Sequence, residues 1–238
     1  MKNIIEMACF SLKQPQKKEN EDFYLPPSFD SDFNIVFAVA DGVGSSENSM
    51  LASHAAIRGI KHALDTSFFS IESAFHSAKK EIDNLDISTA TTLTIVHIKK
   101  NEVLIGHSGD CRVYFNKNNK LNQLTTDQTR YQELLDSGEH KLRNLRNHKE
   151  RLSSILTNAL SNTTELNFEL MSFPINQLIF NGSLQIYAMS DGAYKHWDVR
   201  PRFSEKTMLS PASFASSLRK RIEKNIMDDY TFIGVKVI

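Results

Sequence analysis

Three strand-like segments of this chain each end in an aspartate that adjoins a glycine. The pairs are Asp41-Gly42 after IVFAVA, Gly109-Asp110 after VLIGHS, and Asp191-Gly192 after LQIYAMS. A fourth aspartate, Asp228, precedes the last apolar segment. Apolar runs of this length predict buried strands. The sequence therefore predicts four carboxylates at strand ends, which constrains both the fold and the chemistry.

An Asp-Gly pair taken alone is most often a hairpin turn. Asp41-Gly42 departs from that pattern, because a Gly/Ser loop and then a helical pattern follow it. If the four carboxylates converge on one edge of a sheet, they form a site for Mg²⁺ or Mn²⁺, since these cations prefer oxygen ligands. If they do not converge, they are ordinary turns. The sequence leaves both interpretations open.

The periodicity of the rest of the chain predicts antiparallel strands and amphipathic helices. A helix follows the loop at residues 42–46, with Ser45 or Ser46 as its N-cap. Other helices are predicted on the apolar face Phe75, Ala78, Ile82 and Leu85, over 127–137, and around Phe214, Leu218 and Ile222. Strands are predicted over 91–98, 102–105, 112–115, 121–124, 167–173, 184–189 and 231–238. We interpret the first four of these strands as an antiparallel meander.

Residues 139–151 are highly charged and lack apolar periodicity, so we interpret them as a mobile, solvated flap. No repeat and no Pro- or Gly/Ser-rich linker divides the chain, which predicts a single domain over residues 1–238. Strands in runs and helices in pairs predict an α+β fold with helices outside antiparallel sheets.

The charge balance excludes several classes of partner. Lys plus Arg and Asp plus Glu both total 28, so no overall basic field favours nucleic acid or an anionic membrane.

The longest apolar run, residues 35–40, is far below the ~20 residues of a membrane-spanning helix, and the N-terminus lacks a signal-peptide pattern. Cys9 and Cys111 are predicted to be reduced thiols. We therefore expect a cytoplasmic protein.

The common nucleotide and hydrolase motifs do not account for the acidic pattern. The loop at residues 41–46 resembles a phosphate-binding turn before a helix, but it lacks the Gly-Lys-Ser/Thr ending of a nucleotide P-loop. The sequence contains no Gly-x-Gly-x-x-Gly, no Gly-x-Ser-x-Gly and no His-Glu-x-x-His. The aspartates remain as the candidate catalytic groups.

Six short motifs resemble, in the same order, those of the type 2C family of metal-dependent protein serine/threonine phosphatases in its compact bacterial form. They are Asn20-Glu21-Asp22, Val39-Ala40-Asp41-Gly42-Val43-Gly44, Gly109-Asp110-Cys111-Arg112, Leu156-Thr157-Asn158-Ala159-Leu160, Ser190-Asp191-Gly192 and Asp228-Asp229-Tyr230-Thr231. Each motif is weak alone, but six in order across nearly the whole chain are specific. The resemblance implies a sandwich of two antiparallel β-sheets flanked by pairs of α-helices, with a flap near a metal site.

The resemblance also implies a catalytic metal centre. Asp41 would bridge two metal ions, with the Gly42 carbonyl on one ion and Asp191 and Asp228 on the other. The implied ions are Mn²⁺ or Mg²⁺. Two close cations activate a bridging water and clamp the phosphoryl oxygens, so the phosphoester is hydrolysed without a covalent intermediate.

Three further acidic residues have implied supporting roles. Glu21 and Asp22 would orient metal-bound waters, and Asp110 would help to hold a weaker third ion near the flap. Lys17 stands where the family usually has a phosphate-binding arginine, so it is the expected ligand of the substrate phosphate. A lysine offers one mobile charge where an arginine offers two parallel donors. Asp229 replaces the usual asparagine and adds a charge beside the site.

The general acid is left open. Val43 stands where some members carry a histidine proposed for that role, and a metal-bound water or another residue must then protonate the leaving alkoxide. His54 and His107 are the candidates, although a single histidine near a strand or on a helix is more often structural.

The resemblance implies a monomeric phosphatase that acts on phosphorylated proteins, with a cognate Ser/Thr kinase as functional partner and no nucleic acid or membrane. A second interpretation is a catalytically impaired homologue that binds phosphoproteins or acts as a regulatory module, because Lys17 and Asp229 depart from the family. A generic metal-binding module is the third. The four intact aspartates favour the enzyme.

Overall fold

The computed structural model describes residues 4–44, 46 and 48–238, which form β-strands and α-helices in alternating groups. The strands are β1 (Ile4–Leu12), β2 (Asp22–Phe29), β3 (Ile35–Asp41), β4 (Ala90–Thr91), β5 (Leu93–Ile98), β6 (Glu102–Ser108), β7 (Arg112–Lys117), β8 (Lys120–Gln123), β9 (Leu160–Ser161), β10 (Glu169–Pro174), β11 (Leu184–Met189) and β12 (Tyr230–Val237). The helices are α1 (Ser49–Leu64), α2 (Ile71–Asp83), α3 (Arg130–Asp136), α4 (Leu142–Asn147), α5 (Lys149–Ser153), α6 (Ile175–Leu178), α7 (Asp191–Val199), α8 (Glu205–Met208) and α9 (Pro211–Ile222).

Two five-stranded antiparallel sheets form the centre of the fold. Sheet one has the strand order β1-β12-β11-β7-β8, and sheet two has the order β10-β6-β5-β3-β2. The short strands β4 and β9 form a separate pair. In sheet one the chain returns at its end to pair β12 between β1 and β11, so the N- and C-terminal strands are neighbours.

The central strand β3 shows how the layers are packed. Ile35, Phe37 and Val39 belong to an apolar cluster that includes residues of both sheets, whereas the alternate residues, 36, 38 and 40, pack with α1 and α2. Because both faces of β3 are buried, its apolar run is continuous. A third cluster joins α7 and α9 to the outer face of sheet one. The predicted α+β sandwich with helices on both outer faces is therefore confirmed.

The predicted antiparallel meander is wrong, because its strands belong to different sheets. β5 pairs with β6 in sheet two, and β7 pairs with β8 in sheet one. The chain passes between the sheets through Gly109, Asp110 and Cys111. Gly109 has φ +110°, and a Cβ there would lie 2.5 Å from the Cβ of Thr92. This passage therefore requires glycine, and it carries Asp110 to the end of the sandwich.

The start of α1 also differs from the prediction. The helix begins at Ser49 with Asn48 as its N-cap residue, in a left-handed conformation and without a side-chain capping bond. The Ser46 hydroxyl donates instead to the carbonyl of Val43 (2.7 Å). Ser45 lies outside the described residues.

Two short helices occupy most of the segment predicted to be a solvated flap. Residues 139–151 contain α4 and part of α5, and most of their side chains are exposed, although Leu145 is buried. The helix predicted over 127–137 begins later, at Arg130, where the Thr129 side chain accepts the N-capping bond from Gln132. The predicted helix around Phe75 is confirmed as α2.

Two expectations about the rest of the chain can be compared directly with the fold. Cys9 and Cys111 are free thiols, as predicted. Within residues 4–44, 46 and 48–238, no helix has both the length and the apolar character needed to span a membrane.

Candidate active site

The four aspartates predicted at strand ends line one cleft of about 280 Å³. Asp41 is the last residue of β3, and Asp110 lies in the passage from β6 to β7. Asp191 begins α7 directly after β11, and Asp228 precedes β12. Sheet two thus supplies Asp41, sheet one positions Asp191 and Asp228, and the passage between the sheets supplies Asp110. The convergence that distinguishes a metal site from four separate turns is present.

Close backbone contacts fix the loop that carries Asp41. Its amide donates to the Thr92 hydroxyl (3.0 Å), and its carbonyl accepts from the Thr92 amide (2.8 Å). The amide of Gly42 donates to the carbonyl of Glu21 (3.0 Å). A Cβ on Gly42, which also lines the cleft, would lie 2.8 Å from the backbone of Ser49. The loop therefore packs too closely against α1 to admit a side chain at this position.

Glu21 and Asp22 lie behind the cleft lining, at the start of β2. Asp22 is paired with Asp41 in the β2–β3 register and is buried. Its Oδ2 accepts a hydrogen bond from the Ser190 hydroxyl (2.7 Å), whereas Oδ1 has no partner within the described part of the chain. Glu21 accepts a hydrogen bond from the Ser49 hydroxyl (2.8 Å). Because an unpaired buried carboxylate oxygen is costly, the environment of Asp22 favours a cation nearby.

Burial and mutual repulsion raise the pKa of three of these carboxyl groups. Burial, partly offset by the hydrogen bond from Ser190, raises the pKa of Asp22 to about 7. Burial and the charge of Asp191 raise the pKa of Asp110 to about 7. Burial and then the charge of Asp22 raise the pKa of Asp41 well above its usual range. Crowded carboxylates of this kind favour divalent cations, and the oxygen donors fit Mg²⁺ or Mn²⁺.

The Lys17 ammonium group lies within this acidic cluster. Its Nζ is 2.5 Å from Glu21 Oε2, 2.7 Å from Asp228 Oδ1 and 3.2 Å from Asp229 Oδ2. Burial lowers the pKa of Lys17, but hydrogen bonds to Asp228 and Glu21 more than offset that effect, so the pKa is raised. Lys17 lines the cleft, as expected, but its charge is engaged by carboxylates.

Asp229 fixes the segment that carries Lys17. The Asp229 side chain is almost fully buried, with 2% exposed. Its Oδ1 accepts from the amide of Gln14 (2.6 Å), and its Oδ2 accepts from the amide of Glu21 (2.7 Å) as well as from Lys17. An asparagine offers only one acceptor oxygen, so it would lose one of these two backbone bonds. The extra carboxylate therefore sets the position of Lys17.

A second lysine engages another of the aspartates. Lys195 Nζ lies 2.6 Å from Asp191 Oδ2, one turn along α7. With Glu21, Asp228 and Asp191 each bound to a lysine, no three His, Cys, Asp or Glu side chains in the described ranges form a ready-made ligand set. Cations would therefore compete with Lys17 and Lys195 for these carboxylates.

Arg112, in the third motif, has a structural role. Its guanidinium donates two bonds to Asp127 (2.7 Å each) and one to Asp198 (2.8 Å). It also lies over the ring of Tyr194, 3.7 Å from the centroid. The Tyr194 hydroxyl donates in turn to Asp110 Oδ2 (3.4 Å). Arg112 therefore joins α7 to the passage between the sheets and helps to hold Asp110.

Neither candidate histidine lies in the cleft lining. His107 is buried, with Nδ1 bonded to the Thr94 hydroxyl (2.9 Å) and Nε2 to the Thr126 carbonyl (3.1 Å), and burial lowers its pKa to about 4. His54 stacks on Phe23 with ring centroids 3.8 Å apart. Both histidines therefore make structural contacts outside the cleft lining.

The sequence analysis missed four residues that line the cleft. They are Thr92, Lys195, Ser153 and Ser154. The contact of Lys195 was predictable from the sequence, because Lys195 lies four residues after Asp191 in a helix that begins at Asp191, and such i,i+4 pairs lie side by side. The contact of Thr92 was not predictable, since its hydrogen-bond partner is 51 positions away in the sequence. The two serines follow the charged segment predicted to be a flap.

Comparisons of the sequence with known proteins point in the same direction. A family profile described as Protein phosphatase 2C matches residues 14–225. The serine/threonine phosphatase Stp of Listeria welshimeri is 31% identical over 140 residues. That alignment covers 52% of this chain and 55% of the relative, so the chain matches about half the length of that protein.

Solved structures share the fold over almost the whole chain. The serine/threonine phosphatase PstP/Ppp of Mycobacterium tuberculosis superposes with a TM-score of 0.76 at 22% identity, covering 98% of each chain. The catalytic domain of PstP in complex with two manganese ions gives a TM-score of 0.72 at 20% identity, covering 99% of each chain. The TM-scores establish a common fold, and at sequence identities this low the comparison shows the fold alone.

Proposed function

Because the chain belongs to the protein phosphatase 2C family, we propose that it is a metal-dependent phosphatase that hydrolyses phosphoserine and phosphothreonine in proteins. One observation carries this proposal: four aspartates from separate parts of the chain line a single cleft. Two of them, Asp41 and Asp110, have raised pKa values because of burial and neighbouring carboxylates. Such a cluster is stabilised by bound cations, and phosphoryl transfer is a reaction that bound cations accelerate.

We assign the core ligands to Asp41, the Gly42 carbonyl, Asp191 and Asp228, with two Mn²⁺ or Mg²⁺ ions. Such a pair of ions supplies Lewis-acid polarisation of the phosphoryl oxygens and lowers the pKa of a bound water. The manganese complex of PstP supports a two-ion centre in this fold. We further assign a weaker third ion to Asp110, which lines the same cleft from the passage between the sheets.

The remaining residues of the site orient the ligands and neutralise charge. Glu21 and Asp22 accept hydrogen bonds from the hydroxyls of Ser49 and Ser190, which fixes their carboxylates beside the ligand residues they adjoin. With cations bound to its carboxylate partners, Lys17 would be free to bind the substrate phosphate through its ammonium group. No histidine is among the described residues of the cleft lining, so we assign the proton for the leaving alkoxide to water or to one of the two lysines that line the cleft, Lys17 and Lys195.

The broader setting follows from the same assignment. We propose that the chain is one phosphatase domain, acts as a monomer in the cytoplasm on phosphorylated proteins, and opposes a Ser/Thr kinase. Its equal numbers of acidic and basic residues support a soluble partner recognised by a local site. Mass measurement in solution would contradict the monomer if it gave a stable dimer.

A chelator experiment tests the activity directly. The purified protein should hydrolyse a phosphothreonine peptide with Mn²⁺ and lose at least ~100-fold in rate in excess chelator, because the cations provide the charge stabilisation. Calorimetry with Mn²⁺ should resolve two tighter ions and one weaker ion. A protein that binds Mn²⁺ and phosphopeptide but releases no phosphate would instead be the impaired regulatory homologue.

Substitution of Lys17 tests its two roles. In Lys17→Ala, Mn²⁺ should bind more tightly because a competing cation is gone, while KM for a phosphopeptide should rise by about tenfold, the value of one charge-assisted hydrogen bond. Titration calorimetry and steady-state kinetics measure the two effects. Lys17→Arg should keep kcat/KM within about threefold, since arginine also binds phosphate.

Lys18→Ala is the matched control, because Lys18 is adjacent and exposed and forms no ion pair among the described residues. It should leave Mn²⁺ affinity and KM unchanged. Equal behaviour of the two alanine variants would show that Lys17 has neither role.

A further inference from the structure

A second cavity, separate from the acidic cleft, is lined by basic side chains. Its volume is about 520 Å³, within the range of roughly 300–1,000 Å³ typical of small-molecule sites. One wall comes from the segment after α7 and the other from α9 and the residues just beyond it. The basic residues of the lining are Arg200, Arg202, Lys220, Arg221 and Lys224. The remaining lining residues are Phe203, Ser204 and Ser217, so no acidic side chain belongs to the described lining.

The charges around this cavity are not compensated by carboxylates. None of its five basic residues forms a salt bridge within the part of the chain that the structure describes, whereas the adjacent Arg219 is paired with Glu223 (2.7 Å). The whole chain has no net formal charge, so this is a local concentration of positive charge. Like charges placed together repel, and a bound anion removes that repulsion.

Arg221 shows that the cavity wall is built and not merely a flexible surface. Its guanidinium donates to the carbonyls of His196 (3.3 Å), Arg200 (2.7 Å) and Arg202 (3.1 Å). It also lies over the ring of Phe203, 4.2 Å from the centroid. Arg221 therefore fixes the backbone that carries Arg200 and Arg202 against α9. The other charged groups project from this fixed frame.

The helix dipole explains only part of the pattern. Basic residues in the last turn of a helix stabilise its C-terminal carbonyls, which accounts for Lys220 and Arg221 in α9. It does not account for Arg200 and Arg202, which come from a different segment and face the same cavity. Two segments thus supply cations to one concave space, which is the arrangement of an anion site.

We propose that this cavity binds a small polyanion with two or three linked phosphate groups, either a nucleoside di- or triphosphate or an inorganic polyphosphate. Five basic residues exceed the charge of a single phosphate, and the volume exceeds its size. Arginine forks, lysine ammonium groups and the hydroxyls of Ser204 and Ser217 are suitable donors to phosphate oxygens. The site does not depend on the proposed phosphatase activity.

The cavity and the acidic cleft lie at opposite ends of α7. This helix begins at Asp191, in the cleft, and ends at Val199, one residue before Arg200. Its nine residues span about 13 Å at 1.5 Å per residue. The ligand of the basic cavity is therefore distinct from a phosphate held in the cleft.

Titration calorimetry of the full chain with tripolyphosphate and with ATP tests the proposal. A chelator is present throughout, so that no divalent cation in the acidic cleft can bind the phosphate chain. The wild-type protein should bind one polyphosphate with a Kd below ~1 mM, and the affinity should fall as salt is added. Equal affinities for the two ligands would identify the phosphate chain as the recognised group, and tighter ATP binding would identify a nucleotide.

The double variant Lys220→Glu/Lys224→Glu should weaken binding at least ~10-fold, because two charge-assisted contacts are lost. Both side chains are exposed, so the fold should persist. The control Lys120→Glu/Lys206→Glu changes the net charge equally at exposed positions that lie outside the cavity lining and form no salt bridge among the described residues, and it should bind like the wild type. Absence of saturable binding to the wild type, or equal weakening in both double variants, would overturn the site.

Discussion

Asp41→Asn should reduce kcat/KM for a phosphopeptide on the order of 10³-fold, the largest catalytic effect expected for this protein. Asparagine keeps the shape of the side chain but removes the charge that two cations require. Addition of Asp191→Asn should cost little more, because residues that hold the same ions act as a unit. Steady-state kinetics with saturating Mn²⁺ measure both effects.

The same substitution should stabilise the protein in chelator. The folded-state pKa of Asp41 is raised above its ordinary value of 3.8, mainly by burial. Asp41 therefore ionises more readily in the unfolded chain, so the free energy of unfolding falls as pH rises above about 3.8, and the penalty is largest at alkaline pH. Asp41→Asn removes this penalty, so the variant should have a higher Tm than the wild type at about pH 8. The difference in Tm should fade toward about pH 4, and each kcal/mol of stability corresponds to roughly 2–4 °C.

Asp86→Asn provides the control, since Asp86 is exposed and is not part of the cleft lining. It should change neither turnover nor the pH dependence of Tm. An Asp41→Asn protein that kept normal turnover with full Mn²⁺ occupancy would contradict the assignment of Asp41 as a core ligand.

Gly192→Ala should cause the largest loss of stability among single-methyl changes near the site. A Cβ at Gly192 would lie 1.9 Å from the carbonyl oxygen of Asp229 and 3.3 Å from the Cβ of Asp228. Both neighbours belong to the chain entering β12, so α7 or that segment must move. The overpacking should lower the free energy of unfolding by about 3 kcal/mol and displace Asp191 and Asp228 from each other. Urea unfolding and Mn²⁺ titration measure the two effects.

Gly182→Ala separates this clash from the general cost of replacing glycine. Gly182 has φ +74°, and a Cβ there would meet no atom within 4 Å. The substitution should therefore cost only about 1–2 kcal/mol of backbone strain and leave Mn²⁺ binding unchanged. If Gly192→Ala were no less stable than Gly182→Ala, the close approach of α7 to the segment at 228–229 would be wrong.

Local sequence pattern predicts most clearly the strands that are buried on both faces. The pattern predicts β3 because both of its faces contact apolar layers. It misses β1 and β2, and in β2 the strand signal is interrupted by Pro26 and Pro27. It also misses the change of sheet at Gly109. The local sequence pattern of a strand does not indicate which of the two sheets the strand joins.

The candidate site likewise contains residues that local pattern predicts and contacts that it does not predict. The aspartates are predictable because each has a local signal, an acidic residue beside an apolar run. The bonds of Asp229 to Gln14 and Glu21 have no such signal, because they join positions more than two hundred residues apart. Lys17 and Asp229 are both visible in the sequence as departures from the family, but their contact with each other is a property of the folded chain.

The division of the aspartates between the two sheets has a consequence for assembly. Asp41 belongs to sheet two, whereas Asp191 and Asp228 adjoin strands of sheet one. On the proposed ligand set, a partly folded chain with only one sheet formed holds an incomplete centre and gains nothing from the ions. Cations bound across the sandwich stabilise only the finished structure, so their uptake reports completed folding as well as readiness for catalysis.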